Sequence, residues 1–537
     1  MRRTTLASVI KAPCEEASIR SEAEGHTCRH TPWVLAATIL GSSLTFIDGT
    51  VVGVALPVLQ RELGAGMTEA QWVVESYSLM LSSLILLGGA LGDRKGRRRV
   101  FSAGVVLFAA ASAACGLAGG AGQLIAARAV QGVGAALLVP GSLAILSASF
   151  PEDERGRAIG TWSGFTSVAA GIGPVLGGWL VEHASWRWVF FVNLPLAAVV
   201  LALTWWRVPE SRGETAQGGV DMLGAAAATL GLGGVVYGLV ESGARGFGDP
   251  RVAASLVSGV ALLAAFFFVE RRRGARAMVP LSLFRSRTFA GANLLTLCLY
   301  GGLGGLLFFL PFDLIQVRGY SATEAGAALV PFVLTMFLLS RWAGGLVGRY
   351  GARPPLVAGP VIAAAGFALF MLPGVHAGSY WTSFFPAVVL LSLGMATTVA
   401  PLTTTVMNAV GERHAGVASG INNAVARTAG LVAVAVLGVV VTGVFARRFN
   451  SRLAALSLPD AARAELSSQA GRLAAIETPA GLSDDARLAV VRAVEESFEG
   501  GFRTVVLVCA ALSLSGALGA WLLIEDNAPP ADGRAQE

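Results

Sequence analysis

Apolar stretches of about 20 residues follow one another along most of the chain, broken by short polar segments. About 20 residues, at about 1.5 Å each, make a helix that crosses about 30 Å of hydrocarbon. The pattern predicts about fourteen such helices, at roughly 33–57, 72–91, 100–119, 124–148, 158–181, 188–206, 221–241, 252–269, 289–312, 322–347, 355–372, 381–407, 421–445 and 502–524. The fold class is therefore an all-α polytopic membrane protein, and an even number of spans puts both termini on one side. Between 446 and 501 the pattern changes. There Ala, Leu and Arg alternate with acids, as in Asp460-Ala461-Ala462-Arg463-Ala464-Glu465-Leu466, which predicts one or two short amphipathic helices. They cap the pathway, meet a partner, or form a solvated loop.

Charge orients the spans. With these boundaries, 24 Lys and Arg fall in the tails and the loops on the same side as the termini. The short loops on the other side hold 5, namely Arg61, Arg187, Arg245, Arg251 and Arg318. Basic residues collect in short cytoplasmic loops, because translocating them is unfavourable and the inner leaflet is anionic. Both termini are thus expected in the cytoplasm. Arg128, Arg341 and Arg427 fall inside spans, and eight more lie in the outer segment Arg447 to Arg503, which is long enough for the charge rule to weaken.

Composition agrees: 54% of the 537 residues are hydrophobic and 14% charged, too little polarity for a soluble domain. The net charge of +6 lies in short clusters between apolar runs, so orientation in the bilayer explains it and nucleic acid is not needed. Cys14, Cys28, Cys115, Cys298 and Cys509 are scattered without metal-ligand spacing, and no disulfide framework, metal site or cofactor is implied. Residues 1–32 contain Glu15, Glu16, Glu22 and Glu24 and no apolar core, unlike a signal or transit peptide.

One basic cluster has more structure than orientation requires. It reads Gly88-Gly89-Ala90-Leu91-Gly92-Asp93-Arg94-Lys95-Gly96-Arg97-Arg98, and a degenerate copy follows at Gly344-Gly345-Leu346-Val347-Gly348-Arg349-Tyr350-Gly351-Ala352-Arg353. The first copy resembles the loop between helices 2 and 3 of the major facilitator superfamily, and two related loops imply two related halves. The resemblance implies a cytoplasmic tail 1–32, a six-helix half 33–206, a linker 207–284 with two extra spans, a second six-helix half 285–524 with the outer loop 446–501, and a tail 525–537. It also implies that Gly89, Asp93, Arg94, Gly96 and Arg97 help latch the inner ends of the halves, with the second copy, which has Gly348 in place of Asp93, the weaker latch.

The spans carry few charges, and each is a candidate for chemistry. Asp48 lies mid-span in Phe46-Ile47-Asp48-Gly49-Thr50, where a carboxylate costs on the order of 2.5–3.5 kcal/mol. It either faces a cavity, where alternating contact with water loads and unloads a proton, or is hydrogen-bonded between helices. Glu75 lies near the start of span two and is a second acid or a solvated one; Trp72 beside it reads as an interfacial anchor. Arg128, in Leu124-Ile125-Ala126-Ala127-Arg128-Ala129-Val130-Gln131-Gly132, is a fixed counter-charge or snorkels to the surface. Asp313, near the end of span nine, reads as solvated.

These stretches are similar to those of the fourteen-helix drug:proton antiporters of the EmrB/QacA type. Span one matches that branch at Asp48, Thr50 and Ala55-Leu56-Pro57, with Gly53 where the family has Asn. Span five, with Gly160, Gly173, Pro174, Gly177 and Gly178, resembles the exporter-type motif, with Ala169 where the family has Gly. Trp186-Arg187-Trp188-Val189-Phe190-Phe191-Val192-Asn193-Leu194-Pro195 is also typical of the branch. The resemblance implies efflux of small lipophilic substrates in exchange for protons across the bacterial cytoplasmic membrane, and intramembrane carboxylates, which can bind cations in competition with protons, point to cationic ones. Asp48, Glu75, Arg128 and Gln131 would serve coupling and the substrate cavity, with a periplasmic adaptor if the host is Gram-negative.

A phosphate-cradling loop is absent, since the only lysines are Lys11 and Lys95 and neither follows the glycine spacing. The energy source is therefore expected to be the proton motive force. A dedicated exporter of one metabolite, a proton-coupled importer and a membrane-embedded enzyme remain as alternatives.

Overall fold

The computed structural model describes residues 31–213, 221–274, 277, 279–374, 379–410, 415–479 and 481–525. Among them are helices throughout and no strand. The first six long helices are α1 (Thr31–Glu62), α2 (Met67–Lys95), α3 (Arg97–Gly116), α4 (Ala121–Ser149), α5 (Glu152–His183) and α6 (Trp188–Arg207). Then come α7 (Met222–Arg245) and α8 (Pro250–Arg273). The last six are α9 (Arg287–Phe312), α10 (in pieces Ala322–Ala327, Val330–Gly344 and Leu346–Tyr350), α11 (Arg353–Leu369), α12 (Phe385–Asn408), α13 (Ala415–Ala455) and α14 (Asp484–Leu523). Among the described residues, thirteen helices are long and apolar enough to cross a membrane, and α11 is a shorter apolar helix.

Small residues set how closely the helices approach. A Cβ on Gly88 of α2 would collide with the Ala136 carbonyl of α4, and one on Gly132 with the Tyr77 carbonyl of α2. Helices α1 to α6 pack among themselves and α9 to α14 do likewise, while α5 meets α10 and α2 meets α13 across the divide. The extra pair is not peripheral in the same way at both helices. Helix α7 lies against α2 and α13, so it covers the seam between the halves, and α8 packs on the outside of α7. Asp221 ties the base of the pair: its carboxylate accepts from the Gly224 amide at 2.8 Å and pairs with Arg273 at the end of α8. Burial works against this carboxylate, but the amide and the guanidinium outweigh it and hold Asp221 below the usual range.

The two ends of the bundle differ. At the end that carries Glu62, Gln316 of the π-helical turn after α9 donates to Gln60 at 3.0 Å, and the Thr323 amide of α10 donates to Glu182 of α5 at 2.9 Å. Slightly deeper, Gln71 donates to the Val434 carbonyl of α13 at 3.0 Å. Among the described residues, the hydrogen bonds that join the halves all lie toward this end. At the Asp93 end none does.

The segment 446–501 departs from expectation. Helices α13 and α14 run on beyond the apolar stretches, and only one short helix (Asp460–Ser468) and a 3-10 turn (Ala470–Ala475) stand between them. Hydropathy marks the end of a span where charges begin, but the helical repeat continues: Phe445, Phe449 and Leu453 and, on α14, Val490, Val494 and Phe498 are all buried in the main core. The turn lies over the end of α1, where Gln60 donates to the Arg472 carbonyl at 3.3 Å. This packed cap is not a solvated loop. Asp313 also differs from its reading, being buried and paired with Arg318 at 2.6 Å.

Candidate functional site

Helix α1 carries Asp48 into the middle of the N-terminal half, where it is 0% exposed. Such a carboxylate must be met by donors, and the neighbouring helices supply them. Arg128 of α4 donates from Nη1 to Oδ2 at 2.6 Å. Gln131, one helical turn further on, donates from Nε2 to Oδ1 at 2.8 Å and accepts from Arg128 Nη1 at 2.8 Å. Asn193 of α6 adds a bond to Oδ1 at 3.1 Å and is itself bonded to Ser112 of α3. Arg128 is anchored further by the Val73 carbonyl at 3.0 Å and lies 4.2 Å over the Tyr77 ring. Its 1% exposure means that it does not snorkel. The structure thus brings Asp48, Arg128 and Gln131 into one network. Gly53, on the same helix, has no neighbour among the described residues where a Cβ would stand.

Glu75 stands apart from this network. It is buried, neither carboxyl oxygen has a partner among the described residues, and it shares a helix face with Gln71 and Leu79. Gln71 bonds α13 and Leu79 is buried in one cluster with Leu431 of α13 and Val236 of α7, so Glu75 faces the seam that α7 covers. Trp72 donates to Glu241 of α7 at 3.1 Å, which makes it a contact within the protein.

The loop after α2 is held within its own half. Gly96 joins α2 to α3 with φ 111°, a conformation that suits glycine, and a Cβ there would also strike Glu210. Asp93 accepts from Arg97 at 2.8 Å, Arg97 reaches the Ala144 carbonyl of α4 at 3.2 Å, and the Gly213 amide donates to the Asp93 carbonyl at 3.0 Å. Gly89 lies against Pro140 of α4, and Arg94 has no hydrogen bond or ion pair among the described residues. None of these residues makes a polar contact with the described part of the other half in this state.

The glycines of α5 serve two neighbours. Gly173 and Gly177 leave room for Thr50 and Val51 of α1, and Gly178 leaves room for the Ala322 carbonyl of α10. The Pro174 carbonyl lies where a Cβ on Gly326 would stand. Gly160 has open space among the described residues, so it takes no part in this contact. The motif therefore sets the closeness of α1, α5 and α10 at the closed end.

A family model described as the Major Facilitator Superfamily matches residues 38–435. The chain belongs to this superfamily. The multidrug resistance protein Stp of Mycobacterium tuberculosis is 38% identical over 411 residues, which cover 75% of this chain and 74% of that protein. The tetracenomycin C resistance and export protein of Streptomyces glaucescens is 33% identical over 519 residues, covering 95% and 94%. Among solved structures, a bacterial homologue of the lysosomal transporter Spinster covers 94% of this chain and 100% of its own, with a TM-score of 0.67 at 19% identity, which shows the fold. This facilitator is a multi-pass membrane transporter and not an enzyme.

Within the facilitator bundle, sequence reasoning missed Asn193, Ser112 and Tyr77. Asn193 had a signal, the aromatic stretch after Trp186 that is typical of the branch, but a neutral amide beside aromatics reads as interfacial. Ser112 and Tyr77 had none, since neither residue is unusual in an apolar helix.

Proposed function

We propose that this facilitator is a proton-coupled exporter of small lipophilic molecules across the bacterial cytoplasmic membrane, with the Glu62 end outside and both termini in the cytoplasm. The observation that carries the reading is Asp48, a buried mid-membrane carboxylate bonded to one arginine and two amides. Arginine keeps its proton at any working pH, so Asp48 is the member of the pair that can exchange one. Protonating it removes the charge that holds Arg128 and loosens the contacts among α1, α4 and α6. Its access to one side and then the other follows from rocking of the halves, which here are joined by hydrogen bonds only toward the Glu62 end among the described residues. The relatives named for resistance and export support the outward direction. A second reading, a dedicated exporter of one natural product, is favoured by the relative named for tetracenomycin C alone.

Reconstituted in liposomes, the protein should accumulate substrate when a pH gradient is imposed without ATP. Transport that needs ATP and ignores the gradient would refute the reading.

The Asp93 loop adds a prediction. The ion pair of Asp93 with Arg97 joins the ends of α2 and α3 within one half and persists in both states, and the latch between halves belongs to the outward-facing one alone. A half-exposed charge contact contributes about 0.2–1 kcal/mol, so Asp93→Asn should shift the access equilibrium up to roughly fivefold toward the inward-facing state. Insertion stays normal, turnover falls by a similar factor, and cysteines placed between the halves at the Asp93 end are labelled faster. Unchanged turnover and labelling would leave the loop as an orientation signal alone.

A further inference from the structure

The Asp48 network does not account for every charge in the interior. Arg427 lies within α13, and among the described residues its guanidinium makes no hydrogen bond and no ion pair. Its helix neighbours fix its direction. Ala424 packs against the cluster of the N-terminal half that holds Tyr77, Leu81 and Ile85, and Leu431 is buried in one cluster with Leu79 of α2. Positions 424, 427 and 431 share one face of a helix, so Arg427 points across the seam toward α2. It is partly covered there, on the side of α2 that carries Tyr77. The Tyr77 hydroxyl is buried and has no partner among the described residues.

The nearby acids do not neutralise Arg427. Both oxygens of Asp48 are taken by Arg128, Gln131 and Asn193. Glu75 borders the same seam, but neither of its oxygens is bonded among the described residues. Asp313 pairs with Arg318. An intramembrane arginine is costly unless an anion or several acceptors reach it, and it marks a substrate or ion pathway by default. A cationic substrate would have to displace Arg128 from Asp48 or draw on Glu75, which is buried and unpartnered, whereas an anionic one finds Arg427 without an acceptor or counter-charge among the described residues.

We infer that Arg427 and the Tyr77 hydroxyl anchor the substrate, and that the substrates are lipophilic acids, with a carboxylate, enolate or phenolate on an apolar body. The inference rests on the efflux reading and names its substrate class. The planar guanidinium takes a carboxylate through two parallel hydrogen bonds, and the phenol can donate a third. Voltage then favours both movements, since expelling an anion and admitting a proton each carry charge down a potential that is negative inside.

Equilibrium binding in detergent, without any gradient, separates this from the question of coupling. The probes are anthracene-9-carboxylate and 9-(aminomethyl)anthracene, which share a ring system and differ in the sign of their charge. Wild type should bind the carboxylate at least tenfold tighter than the amine. Arg427→Gln should weaken the carboxylate about tenfold or more and leave the amine within twofold, and Arg427→Lys should recover most of the carboxylate affinity. Equal or tighter binding of the amine by wild type, no binding of the carboxylate, or an equal loss of both probes in Arg427→Gln would each overturn the inference. Failure of the efflux reading would appear separately, as binding that follows this pattern without transport driven by a pH gradient.

Discussion

Asp48→Asn should leave a folded protein that no longer concentrates substrate. The substitution keeps the shape of the side chain and removes its ability to exchange a proton. An amide oxygen can still accept from Arg128, which also keeps the Val73 carbonyl and Gln131. With one-for-one exchange, one pH unit supports a substrate ratio of about tenfold across the membrane, because both amount to about 1.4 kcal/mol. In the Asn variant the ratio should stay near one at any imposed gradient, while downhill exchange continues. Accumulation in proteoliposomes is the measurement, with folding checked by gel filtration. A variant that still reaches a tenfold ratio would return Asp48 to a purely structural role.

Asp48 and Arg128 are conspicuous in the sequence because of the solvent. Hydrocarbon makes charged residues rare within spans, so the few present stand out, and opposite signs in neighbouring helices are expected to meet. The same cost makes the helices themselves legible. Neutral partners escape this filter: Asn193 and Ser112 complete the network, yet an isolated amide or hydroxyl in an apolar run is too common to draw notice. Glu75 shows a different limit. Helical periodicity puts it on one face with Gln71 and Leu79, but only the packing reveals that α13 and α7 cover that face. The extra pair carries no motif that would announce this position. At the closed end, α13 and α14 continue as helices among charged residues, where a hydropathy reading stops.

The charge balance of the network yields the second large effect. Arg128→Met fills similar volume and removes the only cation bonded to Asp48 among the described residues, leaving the buried carboxylate with the amides of Gln131 and Asn193 as its remaining donors. Breaking a buried pair from one side costs on the order of 3–5 kcal/mol, because the other charge is left uncompensated. At about 2 °C per kcal/mol, the apparent Tm in detergent should fall by roughly 6–10 °C. Adding Asp48→Asn removes the stranded charge, so the double variant should recover most of that loss while remaining inactive in coupled transport. Two residues in contact are expected to be non-additive in this sense. Thermal unfolding followed by tryptophan fluorescence on the wild type, both single variants and the double variant completes the cycle. Additive losses, with the double variant less stable than Arg128→Met alone, would mean that the ion pair is not what holds Arg128 in place, and that its contacts to Val73 and Tyr77 are.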